Sequence, residues 1–274
     1  MNFEQSQYSQ ELEVAREAAR EAGKILDEYR EEGVEVSDTK ETETDLVTQA
    51  DLDAQQEVVR ILRNNFPGDA IRAEEEQLSE DHSDRVWVID PVDGTTNFHH
   101  GLDYFCTSIG LRVGSSYVLG VVHSPVSGLG ETYIGLARQG SYRLEEPKSR
   151  SGEHLSVEKR GLRGSIYTTY LREGVPEKFR VQLELMEEFS SRNLVNRSRG
   201  AAALDTCRIA AGETHIFADF ISEWDYAGAR AVLEHAGGEL STIETGLDQD
   251  FVVASNGVRH DELVELSREV LERF

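Results

Sequence analysis

The stretch WVIDPVDGTTNF at residues 87–98 constrains this chain of 274 residues more than any other segment. Its apolar start predicts a β-strand, and the strand runs directly into two carboxylates three positions apart, Asp90 and Asp93. Carboxylate oxygens are the ligands that hard cations such as Mg²⁺ prefer. The stretch therefore predicts a strand that ends at a metal site.

The residues that follow the strand predict an anion site beside the metal. Pro91 fixes the turn and leaves the Val92 carbonyl as a further oxygen ligand. Gly94 lets the backbone approach a ligand closely, and the N–H groups of Gly94 and Thr95 would cradle a phosphate at a helix N-terminus. A metal beside a phosphate is what phosphoryl transfer needs. In so acidic a chain, however, an Asp-x-x-Asp pair also arises by chance, and Asp-Gly is an ordinary turn signal.

Apolar periodicity predicts two helices and then several short strands in the first half of the chain. The helices are predicted over residues 10–30 and 45–65, and the Pro-Gly pair at 67–68 ends the second. The strands are predicted over residues 70–73, 86–89, 104–113 and 117–123.

The second half alternates strands with helices. Strands are predicted over residues 165–170, 215–220 and 251–254, and helices over residues 177–189, 200–211, 226–236 and 261–271. This alternation predicts an α/β protein in which helices cover both faces of a sheet. We expect two α/β lobes, residues 1–145 and 146–274, joined at the polar segment EEPKSRSG.

The charge of the chain is strongly acidic. Asp and Glu number 52 against 28 Lys and Arg, of which only 5 are Lys, and the formal net charge is −24. Such a surface repels nucleic acid and anionic membranes, so we expect neither as a partner. The acids are spread along the chain, which favours adaptation to high salt over a local interaction patch and predicts a halophilic source.

Several absences narrow the class of protein further. The polar N-terminal segment has no signal-peptide pattern, and no run of residues is apolar enough to span a membrane. The two cysteines form no CxxC pair. These features predict a cytoplasmic protein. A P-loop kinase is excluded because the chain contains no Gly-x-x-x-x-Gly-Lys.

Four segments, in order, resemble the signature segments of the inositol monophosphatase superfamily. Residues 90–95 match its Asp-Pro-hydrophobic-Asp-Gly-Thr/Ser pattern, and residues 45–51 match its Asp-x-Val-Thr-x-Ala-Asp segment. Residues 73–75 match its Gly-Glu-Glu, with Ala73 in place of Gly, and residues 224–229 match its Trp-Asp-x-Ala-Gly/Ala-Ala segment. The resemblance covers nearly the whole chain. It implies a layered αβαβα fold, an α+β sandwich, and a Mg²⁺-dependent phosphoric monoester hydrolase.

The resemblance also implies a set of metal ligands. Glu74, Asp90 and the Val92 carbonyl would hold the first Mg²⁺ ion. Asp90, Asp93 and Asp225 would hold the second, and Glu74 would help to hold a weaker third ion through water.

The resemblance implies that other residues bind the attacking water and the phosphate. Thr95 and Asp51 would form a pair that orients and deprotonates the water, which attacks phosphorus in line. Gly94 and Thr95 would contact the phosphate.

The substrate contacts implied by the resemblance are less complete. Asp93, Asp225 and a loop at Gly200-Ala201 would contact the substrate, and the same small residues also suit a closely packed helix start. Inositol-specific members place an acidic residue seven positions before the aspartate matched by Asp225, where this chain has Ala218. Either a one-residue deletion lies between Asp219 and Trp224, so that Asp219 is the replacement, or the hydroxyl contact differs. Asp205 is either a polyol contact or a surface acid.

Three alternatives to an inositol-1-phosphate phosphatase stay open. The first is a fructose-1,6-bisphosphatase, or an enzyme with both activities, as in archaeal-type relatives. The second is a phosphatase for 3′-phosphoadenosine 5′-phosphate. The third is a non-catalytic metal- or phosphate-binding protein, which the complete set of acidic motifs argues against. The family also implies a homodimer.

Overall fold

The computed structural model describes residues 6–32, 36–39, 46–75, 83–125, 130–145, 152–171 and 175–274. Within these ranges the helices are α1 (Ser9–Glu32), α2 (Gln49–Asn65), α3 (Thr95–His99), α4 (Pro176–Ser191), α5 (Ala202–Ala210), α6 (Glu223–His235) and α7 (His260–Leu271). The strands are β1 (Val36–Thr39), β2 (Leu46–Thr48), β3 (Ala70–Ala73), β4 (Arg85–Asp93), β5 (Cys106–Val113), β6 (Ser116–Ser124), β7 (Glu131–Leu136), β8 (Gly140–Glu145), β9 (Glu153–Leu155), β10 (Ile166–Thr168), β11 (Val195–Arg197), β12 (Ile216–Ile221), β13 (Glu239–Ile243) and β14 (Asp250–Ser255).

Most of these strands form two sheets. The first has the order β3-β4-β5-β6-β7-β8-β9, and only its β3–β4 pair is parallel. The second has the order β11-β10-β12-β14-β13, and β10 runs parallel to both of its neighbours. Strands β1 and β2 form a separate antiparallel pair.

Helices fill the layers outside and between the two sheets. Strand β4 is buried on both faces: Trp87 and Ile89 pack in one apolar cluster with α1 and α2, while Val86 and Val88 pack in another with α5 and α6. That alternation is the period of two expected for a strand covered on both sides. The outer face of the second sheet packs on α4 and α7. The order of layers is αβαβα, so the expected fold class is confirmed.

Glycines on three adjacent strands bring α6 unusually close to the first sheet. Gly110, Gly120 and Gly135 lie opposite one another on β5, β6 and β7. A Cβ added at Gly120 would lie 2.0 Å from the Gly228 carbonyl oxygen of α6. Because the missing side chains leave this space, the helix that carries Asp225 rests directly on the sheet backbone.

Three predicted helix starts are corrected by the structure. Helix α2 begins at Gln49, since β2 occupies the preceding residues, and residue 45 lies outside the described ranges. Helix α5 begins at Ala202 because Gly200 has a φ of +87° and Ala201 is extended, with a φ of −143°. Helix α6 begins at Glu223, three residues earlier than predicted.

The two predicted lobes share the layers described above. Strand β9 follows residue 145 yet completes the first sheet, and α6 also packs on that sheet. Residues 146–151 of the predicted linker lie outside the described ranges. The division into residues 1–145 and 146–274 stays a prediction. Among the described residues, no helix combines the length and apolar character that a bilayer crossing requires.

Candidate active site

Three carboxylates from distant parts of the chain converge at one end of the first sheet. Asp90 and Asp93 end β4, and Asp225 lies in the first turn of α6. One oxygen of each lies within 4.8 Å of the others. The β4–β5 pairing is irregular between Asp90 and Asp93, where three steps on β4 oppose two on β5. This extra residue turns two side chains that are three positions apart to the same side.

The position of Asp225 follows from the start of its helix. Ser222 is the N-cap of α6, and its backbone N–H donates to Asp225 Oδ2 over 2.6 Å. This capping box holds the carboxylate at the helix N-terminus, where the helix dipole stabilises negative charge.

Asp90 has the surroundings of a cation ligand. It is fully buried, its Oδ1 accepts the Val92 N–H over 2.9 Å, and its Oδ2 accepts no hydrogen bond from a donor in the described part of the chain. Burial, followed by the charges of Glu74, Asp93 and Asp225, raises its pKa well above the ordinary value. A buried carboxylate among like charges needs a compensating positive charge. A hard divalent cation fits this donor set.

Asp93 joins the acidic cluster to the start of α5. Its two oxygens accept the backbone N–H groups of Ala202 and Ala203 over 2.9 and 2.7 Å, and the Cys106 thiol lies 3.5 Å from Oδ2. Burial, followed by the charge of Asp225, raises the pKa of Asp93, while these donors act in the opposite direction.

Glu74 lies beside the cluster, at the end of β3. Its backbone N–H donates to the Ile89 carbonyl over 3.2 Å, which continues the pairing of β3 with β4. Its side chain is half-buried, and its charge contributes to the raised pKa of Asp90.

The predicted water-activating pair is in contact. Asp51, in the first turn of α2, is buried, and its Oδ1 lies 3.3 Å from the Thr95 hydroxyl oxygen. The same hydroxyl lies 3.0 Å from the Val92 carbonyl oxygen. The single proton of Thr95 is therefore shared between the Asp51 carboxylate and the Val92 carbonyl.

The Gly200-Ala201 loop packs against the metal loop. Gly94 has a φ of +92°, and a Cβ there would lie 3.0 Å from the Tyr104 carbonyl oxygen and 3.1 Å from that of Gly200. Asn97 donates through Nδ2 to the carbonyl oxygens of Tyr104 and Arg199, each over 2.7 Å. The loop and the acidic cluster are thus neighbours, as a shared substrate pocket requires.

Asp205 is a buried acid rather than a surface acid. It is fully buried, and it accepts hydrogen bonds from the hydroxyls of Tyr104 and Tyr170 over 2.8 and 2.5 Å. The Arg199 guanidinium lies 2.9 Å from its Oδ1. In the sequence, the sign of this burial was that Asp205 carries the one charge in the mostly apolar helix start AAALDTC. A buried charge persists only where such partners surround it.

Asp219 does not have the surroundings of a substrate contact. It is fully buried on β12, where its oxygens accept the backbone N–H groups of Tyr170 and Phe220 over 2.5 and 2.7 Å and the Gln182 side-chain amide over 2.6 Å. These bonds use its oxygens to fasten α4 and the end of β10 to the second sheet. That Asp219 replaces the hydroxyl-binding acid stays a prediction, which these contacts do not favour.

The profile of the inositol monophosphatase family matches residues 7–272. This chain belongs to the inositol monophosphatase family. It is therefore a hydrolase of a phosphatase family, and the superfamily resemblance is confirmed.

Proteins of several bacteria are similar to this member of the inositol monophosphatase family. A fructose-1,6-bisphosphatase/inositol-1-monophosphatase of Thermotoga maritima is 34% identical over 235 residues, covering 84% of this chain and 85% of that protein. An inositol-1-monophosphatase of Bacillus subtilis is 31% identical and covers 92% of this chain and 94% of its own. A Nus factor SuhB of Pasteurella multocida is 32% identical, covering 86% of each.

Solved structures of the inositol monophosphatase family share the fold. The inositol monophosphatase of Anabaena superposes with a TM-score of 0.76 at 28% identity, covering 97% of both chains. An IMPase of Thermotoga maritima superposes with a TM-score of 0.79 at 28% identity, covering 96% of this chain and 99% of that one.

Proposed function

We propose that this protein is a Mg²⁺-dependent phosphomonoesterase of the cytoplasm that hydrolyses a small polyol or sugar phosphate, first of all inositol-1-phosphate. The observation that carries the proposal is the convergence of the Asp90, Asp93 and Asp225 carboxylates. Within this group the buried Oδ2 of Asp90 accepts no hydrogen bond from any described residue. Three converging acids with Glu74 beside them are costly unless a cation compensates them. In a hydrolase of a phosphatase family, such a cation would support hydrolysis of the phosphate ester.

The acids divide between two principal ions in this proposal. Glu74, Asp90 and the Val92 carbonyl would hold one, and Asp90, Asp93 and Asp225 would hold the other. When bound, Mg²⁺ neutralises the charge that develops on the transferred phosphoryl group. The Thr95 hydroxyl, which already contacts Val92, would then lie at the edge of the cation site.

The protein's own residues supply the remaining chemistry. Thr95 orients the attacking water, and Asp51 accepts its proton through the Thr95 hydroxyl. The backbone N–H groups of Gly94 and Thr95 bind the phosphate. The Gly200-Ala201 loop, together with Asp93 and Asp225, borders the hydroxyl-bearing part of the substrate.

A second candidate, fructose 1,6-bisphosphate, is favoured by one feature of the site. The position that carries a hydroxyl-binding acid in inositol-specific members is the buried Ala218, and Asp219 beside it is occupied by backbone and amide donors. The inositol contact is therefore incomplete. The Thermotoga relative whose name carries both activities supports this candidate. The 3′-phosphoadenosine 5′-phosphate and non-catalytic alternatives have no comparable support.

Phosphate release from a small substrate panel tests the proposal. Inositol-1-phosphate, fructose 1,6-bisphosphate and 3′-phosphoadenosine 5′-phosphate would each be incubated with Mg²⁺, with chelator, and with Mg²⁺ restored after chelation. We expect Mg²⁺-dependent, reversible release from one of the first two. Release that persists in chelator, or no release from any substrate, would contradict the proposal.

We also propose that the protein is a homodimer, which the family supports. Sedimentation under active conditions that shows only a 30.7 kDa species would reject the dimer.

A further inference from the structure

Glu223, the first residue of α6, receives donors from three strands of the first sheet. Its carboxylate contacts the Arg72 guanidinium from β3, the Arg112 Nε from β5 over 3.2 Å, and the Tyr117 hydroxyl from β6 over 2.6 Å. Its side chain is only 17% exposed. The start of α6 is thus fixed to the sheet by one carboxylate with three partners.

The Glu223–Arg72 pair lies close in the chain to two of the candidate metal ligands. Arg72 lies on β3, two residues before Glu74, which directly follows the strand, and Glu223 lies two residues before Asp225 on α6. The two partners are 151 positions apart in the sequence. The ion pair therefore joins the segment that carries Glu74 directly to the segment that carries Asp225.

The ion pair opposes the repulsion between the acids of the cluster. The charges of Glu74, Asp93 and Asp225 all act on Asp90, so before a cation binds, these acids repel one another. The repulsion pushes their carrier segments apart. The Ser222 capping box orders α6 internally but reaches no strand. The ion pair of Glu223 with Arg72 holds α6 to β3 and so opposes that repulsion.

We propose that Glu223 is a positioning residue that holds Asp225 and Glu74 at metal-binding separation and so sets the affinity of the cation site. The inference rests on the proposed function, because it takes the acidic cluster to be a divalent cation site. Groups that orient metal ligands without touching the metal commonly change metal affinity by about 10- to 100-fold when they are removed.

The same helix offers a matched control. Glu234, near the C-terminal end of α6, pairs with Arg230 over 2.7 Å, and both members belong to α6. Both members are half-buried, and ion pairs four positions apart on one helix contribute little to stability. Glu223→Gln and Glu234→Gln each remove one acid from α6; the first removes the pairs with Arg72 and Arg112, and the second removes the pair with Arg230. Only Glu223→Gln cuts a link between segments that carry candidate ligands.

The experiment is a Mg²⁺ titration by calorimetry without substrate, with thermal unfolding recorded on the same samples. We expect Glu223→Gln to weaken Mg²⁺ binding by about 10-fold or more and Glu234→Gln to leave it within about 2-fold. Arg72→Met, which removes the same link to β3, should weaken binding similarly, and the double variant Arg72→Met with Glu223→Gln should bind no more weakly than Glu223→Gln alone, since Glu223→Gln already removes the Arg72 pair. Glu223→Asp, which keeps the charge, serves if Glu223→Gln does not fold.

The outcomes separate this inference from the proposed function. Unchanged Mg²⁺ affinity in Glu223→Gln or Glu223→Asp, with a lowered unfolding temperature, would make Glu223 a purely structural ion-pair residue and overturn the inference alone. A wild-type protein that binds Mg²⁺ but releases no phosphate would overturn the proposed function alone. A wild-type protein that binds no Mg²⁺ would overturn both.

Discussion

Asp93 is the residue at which the acidic cluster meets the substrate loop. Its oxygens accept two N–H groups from the start of α5, and they also face Asp225. Burial raises the pKa of the Cys106 thiol, so this neighbour remains a protonated donor towards Asp93. Any movement of Asp93 on cation binding is therefore transmitted to the loop before α5 through two short hydrogen bonds.

Thr95 offers a test of the proposed water activation. Replacing it with Ala removes the hydroxyl that lies 3.3 Å from Asp51, so proton transfer from the water loses its relay. We expect Thr95→Ala to lower kcat by about 100-fold or more while KM changes little, because the contact matters in the transition state. Thr95→Ser keeps the hydroxyl and is the control. Steady-state kinetics that show only a higher KM for Thr95→Ala would reassign Thr95 to phosphate binding.

His260 predicts a pH dependence of stability that is independent of the metal site. It is buried between the hydroxyls of Ser241 and Ser255, at 2.9 and 2.8 Å from its two ring nitrogens. Burial lowers its pKa, against smaller opposing effects of Glu239 and Asp261. Its stabilising contribution is thus complete above the ordinary histidine pKa and is lost as pH falls through the lowered pKa of the folded state.

The stability of wild type and His260→Gln should therefore converge as the pH is lowered through that window. Urea unfolding at a series of pH values measures the difference, and His154→Gln, at an exposed position on β9, is the control. A difference between wild type and His260→Gln that is the same at every pH would count against the burial of a neutral imidazole.

At the residue scale, the sequence predicted those acids that belong to short motifs. Asp90, Asp93 and Asp225 stand in recognisable segments, and the fold brings them together. Glu223 was not predicted, because its partners lie far away in the chain and only the packed layers bring them into contact. Asp205 was expected to be either a polyol contact or a surface acid, and the structure buries it against the Tyr104 and Tyr170 hydroxyls. The assignment of Asp219 to the substrate stays a prediction, because spacing alone does not tell which groups satisfy a buried carboxylate.

At the scale of elements, the closeness of α6 to the first sheet is the feature that places Asp225. Gly120 lies at the centre of the three paired glycines, directly under the Gly228 carbonyl. A methyl group there has no room without moving the helix or bending the strand, and overpacking of this kind costs about 1–3 kcal/mol.

Gly120→Ala should accordingly lower the free energy of unfolding by about 2 kcal/mol or more, and it should also weaken Mg²⁺ binding because α6 carries Asp225. Gly68→Ala is the matched control, since a Cβ at Gly68 meets no atom within 4 Å. Denaturant unfolding and a Mg²⁺ titration measure the two effects. Equal stability of the two variants would show that the helix is not seated as closely as described.

The elements themselves were predicted unevenly. Helices α1, α4 and α7 have a clear apolar stripe and were predicted to within two residues at each end, whereas α2 was predicted to start four residues too early. The strands that were missed are β1, β2, β7, β8, β9, β11 and β13, because short strands that carry polar residues or follow glycines give little period-two signal. Helix α5 was started too early because the positive φ of Gly200 cannot be read from composition.

At the scale of the whole molecule, neither the order of the five layers nor the pairing of strands follows from local patterns. Both depend on contacts between segments far apart in the chain, such as β4 with α6. The sequence supported an α/β class, and the layering came only from the family resemblance. The net charge, in contrast, follows from composition alone, and it predicts how the stability of the protein depends on salt.

The charge of −24 predicts that salt stabilises the protein. At low ionic strength the Debye length is about 30 Å and the acids repel one another across the molecule, whereas at 1 M salt it is about 3 Å. We expect the unfolding temperature to rise by roughly 10 °C between 0.05 M and 2 M KCl at fixed Mg²⁺. A halophilic source stays a prediction that this result would support. A midpoint that is flat or falls with salt would assign the acidity to another cause, such as a basic partner.

The most direct test of the central claim is the rate of phosphate release by Asp225→Asn at saturating Mg²⁺. Asparagine keeps the size and the capping position of Asp225 but removes the charge that completes the cluster. Asp261→Asn, an exposed aspartate in the first turn of α7, is the matched control. Our account predicts that Asp225→Asn loses activity by about 100-fold or more while Asp261→Asn retains it. Full activity of Asp225→Asn would contradict the assignment of these carboxylates to a catalytic metal site.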